Sequence, residues 1–195
     1  MGDVSPESRE ISDAQTMRAL AHPLRLALLD AIRAEGEMTA SRAAELLGDS
    51  PGNMSWHLQT LAKYGFVEEA GTGKGRSRPW RLVNRTVSFS TSQAPDAEVM
   101  AAGEALETAL INRTFTQFED WRRRRPASPE WADVAFVSSD VAYLTPTELG
   151  ELSNDVQSLF RRYADRDKLE ARPPGTVPVK LVGIGHPLVA DGSSG

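Results

Sequence analysis

The chain has 195 residues, 40% of them apolar, a formal charge of −5 and no cysteine. That length holds one larger or two small domains, and no apolar run is long enough to span a membrane. The missing thiols exclude disulfides, thiolate metal sites and a cysteine nucleophile.

The first residues are polar and acidic, unlike a secretory signal, so an intracellular, cytoplasmic protein is expected. Residues 1–11 carry Pro6 and no periodic pattern and read as a loose arm. Ser12 or Asp13 is placed to cap a helix whose inner side is Met17, Leu20 and Ala21. His22-Pro23 interrupts that helix, because the residue before a proline avoids helical geometry. Pro23 opens a second helix with Leu24, Leu28 and Ile32 along one side, and Gly36 ends it. Met38 is placed for a very short strand. Thr39 then caps a third helix, with Ala43, Leu46 and Leu47 turned inward and Gly48 closing it.

Residues 50–65 form a fourth helix with both ends marked. Ser50 is the cap, Pro51 suits the first helical position, and Gly65 can adopt the left-handed conformation that ends it. Met54, Leu58 and Leu61 recur at helical spacing and make one apolar face. Gly52, Asn53, Ser55, Trp56, Gln59 and Lys63 lie off that face. These are mostly small or hydrogen-bonding side chains, suited to a DNA major groove where base edges offer donors and acceptors. An ordinary amphipathic surface helix has the same pattern, and the neighbours decide between the two. Two short helices joined through a glycine-containing turn, the second with a polar face, form a helix-turn-helix.

Next comes a β-hairpin. Residues 66–70 have strand character, Gly71-Thr72-Gly73-Lys74-Gly75 is a turn-forming run, and residues 76–83 return with Trp80 and Leu82 alternating against Arg81. The glycines do not mark a nucleotide phosphate loop, since no Gly-Lys-Ser/Thr opens a helix here. Between residues 51 and 85, Lys63, Lys74, Arg76, Arg78, Arg81 and Arg85 outnumber Glu68 and Glu69. A local basic patch is what phosphate binding needs, whatever the charge of the whole chain. A basic hairpin beside a helix-turn-helix is a wing, with Lys74, Arg76 and Arg78 as its candidate contacts.

Ala21-His22-Pro23-Leu24-Arg25, the run from Thr39 to Gly48, Ser55-Trp56-His57-Leu58-Gln59-Thr60-Leu61 and Gly65-Phe66-Val67 together resemble the ArsR-type winged-helix repressors over roughly residues 12–85. The resemblance implies a dimeric DNA-binding regulator. It implies that Ser55 touches phosphate, that Asn53, Trp56 and Gln59 face the groove, and that Arg76 and Arg78 are wing contacts. The chain departs from the metal sensors of that type. It has no cysteine, and His22, His57 and His186 stand far apart, so no metal or other cofactor is expected. His22 reads as a packing or capping residue and His57 as a structural one. Trp80 stands where a tyrosine is common, which preserves an aromatic packing role.

Residues 86–95 are polar and β-leaning and read as a connector. From Asp96 to Arg125 no proline occurs, and Met100, Gly103, Leu106, Leu110, Phe115, Phe118 and Trp121 recur near helical spacing. A helix of about 30 residues is roughly 45 Å long, more than a small domain needs internally. Met100, Gly103, Leu106, Leu110 and Phe118 are therefore the expected dimerisation stripe, and a long helix folded onto its own domain is the alternative. Arg122 to Arg125 suit the helix C-terminus.

Residues 131–143 carry β-forming side chains; Thr145, Pro146 and Glu148 then begin a capped helix with an inner face of Leu149, Leu152, Val156, Leu159, Phe160 and Tyr163. Residues 177–189 alternate as a strand. Trp121, Trp131, Phe136 and Tyr143 are candidates for lining an effector pocket, although four aromatics in such a region are more often plain core. No nucleophile, metal set or paired-acid signature points to an enzyme.

The expected fold class is mainly α with an α+β element. A winged helix-turn-helix spans 12–85, a connector and long dimerisation helix 86–126, a small α+β unit 127–190 and a tail 191–195. The expected function is a homodimeric, sequence-specific DNA-binding regulator, a repressor by likeness, whose partners are double-stranded DNA, a second copy and an undetermined small-molecule effector, with no membrane role. The rival readings are a winged helix used only for protein contacts and a small-molecule-binding sensor or enzyme.

Overall fold

The computed structural model describes residues 8–71, 78–83, 86–89, 96–124, 129–163, 166 and 171–188. It divides into two units, Met1–Val134 and Ala135–Gly195. The first runs in the order β1 (Ser8–Ile11), α1 (Ala14–Leu20), α2 (Pro23–Glu35), α3 (Ala40–Leu47), α4 (Pro51–Lys63), β2 (Val67–Glu69), β3 (Trp80–Leu82), β4 (Thr86–Phe89), α5 (Ala97–Arg124) and α6 (Pro129–Val134).

The N-terminus of each of the first four helices is closed by a side chain that accepts an otherwise unpaired backbone N–H. Asp13 Oδ1 accepts from Thr16 at 2.8 Å, and His22 Nδ1 accepts from Leu24 at 3.2 Å. Thr39 Oγ1 accepts from Arg42 and Ser50 Oγ from Asn53, both at 3.2 Å. Between α3 and α4, Gly48 takes the left-handed conformation with φ 69°, which lets the chain reverse within three residues.

The core of this unit seals Met17, Leu28, Met54, Leu58, Leu61 and Leu106. Each such side chain contributes about 1.5–3 kcal/mol on burial, and together they tie α1, α2, α4 and α5 into one cluster. Leu46, expected inside, is 41% exposed. The inner side of α3 is Ala43 and Ala44 instead, small residues that bring its backbone close to α4.

β2 and β3 pair antiparallel, with Val67 opposite Leu82 and Glu69 opposite Trp80. Met38 forms a bridge to Trp80 through reciprocal backbone hydrogen bonds of 3.0 and 2.8 Å. The half-buried indole of Trp80 packs against the core, so the expected aromatic packing role is filled.

Residues 8–11, expected in a loose arm, form β1. It pairs in parallel with β4, in the stretch expected as a plain connector, in a register from Ser8–Thr86 to Ile11–Phe89. Ile11 is sealed in the core. Four-residue strands are too short for alternation to announce them, and a parallel partner far along the chain leaves no turn signal.

The long helix appears where it was expected, but its first half belongs to its own domain. Ala102, Gly103 and Leu106 of α5 are buried against α1 and α2. Arg18 pairs with Glu98 at 2.6 Å, and farther along Arg113 and Gln117 both donate to Asp30 of α2, at 3.0 and 2.8 Å. The assignment of Gly103 and Leu106 to a dimer interface is thereby corrected: their surface is already spent within the chain. Leu110 is half-buried against the same core. Met100 and Phe115 are exposed, and Phe118 stacks on Trp121 with centroids 5.9 Å apart.

In the second unit the regular element is α7 (Pro146–Arg161). Its capping box is complete: Glu148 N donates to Thr145 Oγ1 at 3.3 Å, and Thr145 N donates to Glu148 Oε2 at 2.7 Å. No residue of α7 is buried. The strands expected over 131–143 and 177–189 are absent among the described residues. Trp131 lies in α6, and residues 135–145 and 176–187 carry no helix and no paired strand. Phe136 and Tyr143, expected to help line a pocket, are 79% and 101% exposed.

Candidate nucleic-acid interface

The helix α4 is positioned by its apolar side and offers the other. Met54, Leu58 and Leu61 are sealed beneath it, while Gly52, Gln59 and Lys63 are exposed and Asn53 and Ser55 half-exposed. Trp56 is 57% exposed, although an indole is a large apolar group. The residues expected at a groove therefore share one open surface, narrow enough to enter a major groove about 12 Å wide.

Hydrogen bonds shape that surface at its N-terminal end. Asp49 accepts from the backbone of Ser50 at 2.6 Å and from the side-chain amide of Asn53 at 2.9 Å. These bonds hold the Asp49 carboxyl below its ordinary pKa. Asn53 is thus oriented by a neighbour, and its amide donor must be released or shared if it is to read a base. Thr60 Oγ1 donates to the Trp56 carbonyl at 2.9 Å, and the Lys63 ammonium lies 5.6 Å from the Tyr64 ring centroid.

Beneath Trp56, His57 and Arg25 are buried, with the exposed His22 beside them. The His57 ring is 4.7 Å from those of both His22 and Trp56. His57 Nδ1 and Arg25 Nε are buried with no hydrogen-bond partner. Burial pushes the His22 and His57 pKa values down, and neighbouring positive charge adds to this: Arg25 in both cases, and His22 also for His57. Burial likewise lowers that of Arg25. The buried His57 ring therefore packs against the exposed Trp56, and His22 caps α2 beside it, which agrees with the structural roles expected for both histidines. An open groove of about 310 Å³, lined by Gln15, Arg18, Arg25, Trp56, Thr60 and Tyr64, runs between α1 and α4.

The C-terminal end of α4 is held by a residue that the sequence reading left in the arm. Arg9 of β1 donates to the Tyr64 carbonyl and lies over the Phe66 ring, 5.0 Å from its centroid. A cation there complements the helix dipole. A lone arginine in an aperiodic stretch carries no signal for this contact.

On the wing, Arg78 pairs with Glu69 at 2.5 Å and Arg81 with Glu68 at 2.8 Å. Both pairs are solvent-exposed, and such pairs contribute only about 0–1 kcal/mol. Phosphate can therefore replace the carboxylates at little cost. Lys74 and Arg76 lie outside the described residues.

Residues 20–70 match a family model described as a helix-turn-helix domain. A comparison with curated protein sequences finds no match. Among solved structures, reduced HlyU from Vibrio cholerae N16961 is similar at 21% identity, covering 49% of this chain and 86% of that one with a TM-score of 0.31. Rv0081 of M. tuberculosis is similar at 21% identity, covering 53% and 89% with a TM-score of 0.33. A transcriptional regulator homologue from Pyrococcus horikoshii OT3 is similar at 16%, covering 53% and 92% with a TM-score of 0.32. The chain carries a helix-turn-helix domain within a mainly helical fold. The domain match falls on the helices that present the open polar face of α4.

Proposed function

We propose that this protein is a sequence-specific, homodimeric DNA-binding transcriptional regulator of the ArsR type that represses by occupying its operator. The observation that carries this reading is the division of α4, with Met54, Leu58 and Leu61 sealed while Trp56 and Gln59 stand in solvent. Gly52, Asn53, Trp56 and Gln59 meet the major groove, and Ser55, Lys63, Arg78 and the wing cations Lys74 and Arg76 meet phosphate. Two copies present two such helices to half-sites one helical turn apart. Met100 and Phe115 of α5 remain open, and Phe118 partly so, for contact between the copies.

In vitro selection from a random duplex pool tests the reading. A single enriched motif with two related halves is expected. Gln59→Ala should lose about 1–3 kcal/mol of discrimination at one base position per half-site, leaving the other positions unchanged. Absence of any duplex retention at low salt would refute the assignment and leave a protein-contact role for the winged helix.

A further inference from the structure

We propose that the groove between α1 and α4 is an effector site for a small aromatic carboxylate, and that the bound acid and a DNA duplex exclude each other. The exclusion rests on the DNA reading above; the site itself does not.

The walls follow from helical spacing. Trp56 and Thr60 of α4 and Tyr64 at its C-terminal cap stand four residues apart and form one strip. Gln15, Arg18 and Ala19 form the facing strip of α1 by the same rule, and Arg25 enters from α2. The methyl group at position 19 leaves room that a longer side chain would take. The space is about 310 Å³, at the lower end of the ~300–1,000 Å³ found for ligand sites. It suits one ring and its substituent.

Arg25 selects an anion. It lines the groove and is 9% exposed. A guanidinium carries five N–H donors. Among the described residues Arg25 uses one, from Nη2 to the Arg18 carbonyl at 3.3 Å. Its Nε is sealed without a partner. A buried cation is costly unless an opposite charge and acceptors meet it. No carboxylate lines the groove, and Glu98 nearby is engaged by the exposed side chain of Arg18 at 2.6 Å. A ligand carboxylate supplies both the charge and two acceptor oxygens.

The walls select the rest of the ligand. Trp56 is 57% exposed, and its ring meets the buried His57 edge-on at 4.7 Å. The half-buried Tyr64 lies farther along the same strip. An indole and a phenol on one wall offer a flat ring stacking and edge contacts. A phosphate ion would gain the charge and forfeit those walls. Thr60 Oγ1 already donates to the Trp56 carbonyl, so the exposed Gln15 is the free amide at the rim. Trp56 is also one of the side chains assigned above to the major groove. A ring seated on the indole covers that flank of α4, so the acid and the duplex compete.

Amide NMR of the full chain titrated with benzoate tests the site without DNA. The Trp56 indole N–H, identified by its loss in Trp56→Phe, should shift and saturate in the millimolar range expected of so small a ligand. Benzamide has the shape without the charge, and inorganic phosphate the charge without the ring. Both should bind at least ~10-fold more weakly. Arg25→Gln should weaken benzoate ~10-fold or more. Gln15→Glu, at an exposed position outside the core, should weaken it ~5-fold or more by repulsion, and it decides the matter if Arg25→Gln does not fold by circular dichroism. The site is overturned by a Trp56 resonance that stays in place at ~20 mM benzoate. Benzamide or phosphate binding as tightly as benzoate overturns it too, as does unchanged affinity in Gln15→Glu. Competition is read separately, as release of a labelled duplex by benzoate against equal sodium chloride, which controls for salt. Benzoate should release the duplex over the range that shifts Trp56, and Gln15→Glu should need ~5-fold more. Equal release by chloride overturns the exclusion. A chain that shifts with benzoate but retains no duplex would refute the DNA reading and leave the site standing.

Discussion

The two units carry apolar side chains in comparable helical patterns and use them in opposite ways. In the first, Met54, Leu58 and Leu61 of α4 meet Met17, Leu28 and Leu106 from three other helices and lose their contact with water. In the second, Leu152 and Leu159 of α7 have the same spacing logic and remain about half exposed. An amphipathic helix states that a face will be covered; it does not state by what. The first unit supplies its own cover. Among its described residues the second offers α7 and two segments without paired strands, which leave the face of that helix uncovered.

Core truncation sharpens this contrast most. Leu58→Ala should destabilise the first unit by about 2–5 kcal/mol, since the atoms removed leave a cavity that the neighbours fill only in part. Leu159→Ala, already half open, should cost well under half as much in a chain held monomeric. Urea unfolding followed by tryptophan fluorescence and circular dichroism checks the pair, and equal losses would break the contrast.

The Arg9 contact comes next. Arg9→Ala should destabilise the first unit by about 1.5–3 kcal/mol, the range for a hydrogen bond to a charged group, with the largest loss of amide protection at 61–66. An unchanged exchange pattern there would show that β1 does not support α4.

Thr145→Ala removes half of a capping box and should cost about 1 kcal/mol of helix stability. With no buried residue to compensate, α7 should lose helicity visibly by circular dichroism, while the first unit melts unchanged.

The buried His57 and the neighbouring His22 give the first unit a pH dependence. His22 and His57 have their pKa values lowered from the ordinary 6.5 by burial first and by neighbouring cations second, with Asp49 opposing in the case of His57. The unfolded chain then binds more protons than the folded one. The stability they confer is full above about pH 6.5 and is lost as pH falls through the lower folded values. Protonation would also remove the acceptor that His22 Nδ1 offers to Leu24. The midpoint of urea unfolding should fall between pH 7 and 5 and flatten in a His57→Phe variant.

The smallest effect belongs to the wing. Arg78→Ala should weaken binding to all duplexes alike and reduce the slope of log affinity against log salt by about 1, while exchanging away only a surface pair with Glu69. An unchanged slope would remove Arg78 from the phosphate contacts.

Local chemistry settled much of this protein before any tertiary contact. The Ser50 and Thr145 caps, the left-handed glycine at 48, the proline starts of α2 and α4, and the division of α4 into a sealed and an open face all follow from interactions within a few residues along the chain. Tertiary structure alone decided what meets those faces. The pairing of β1 with β4, the Arg9 grip on Tyr64, the bond of Arg113 to Asp30 and the burial of Gly103 and Leu106 in their own domain depend on where the folded chain brings other groups. Periodicity reports that a surface is apolar, because that is a property of one helix. It is silent on the identity of the surface opposite, because that is a property of two.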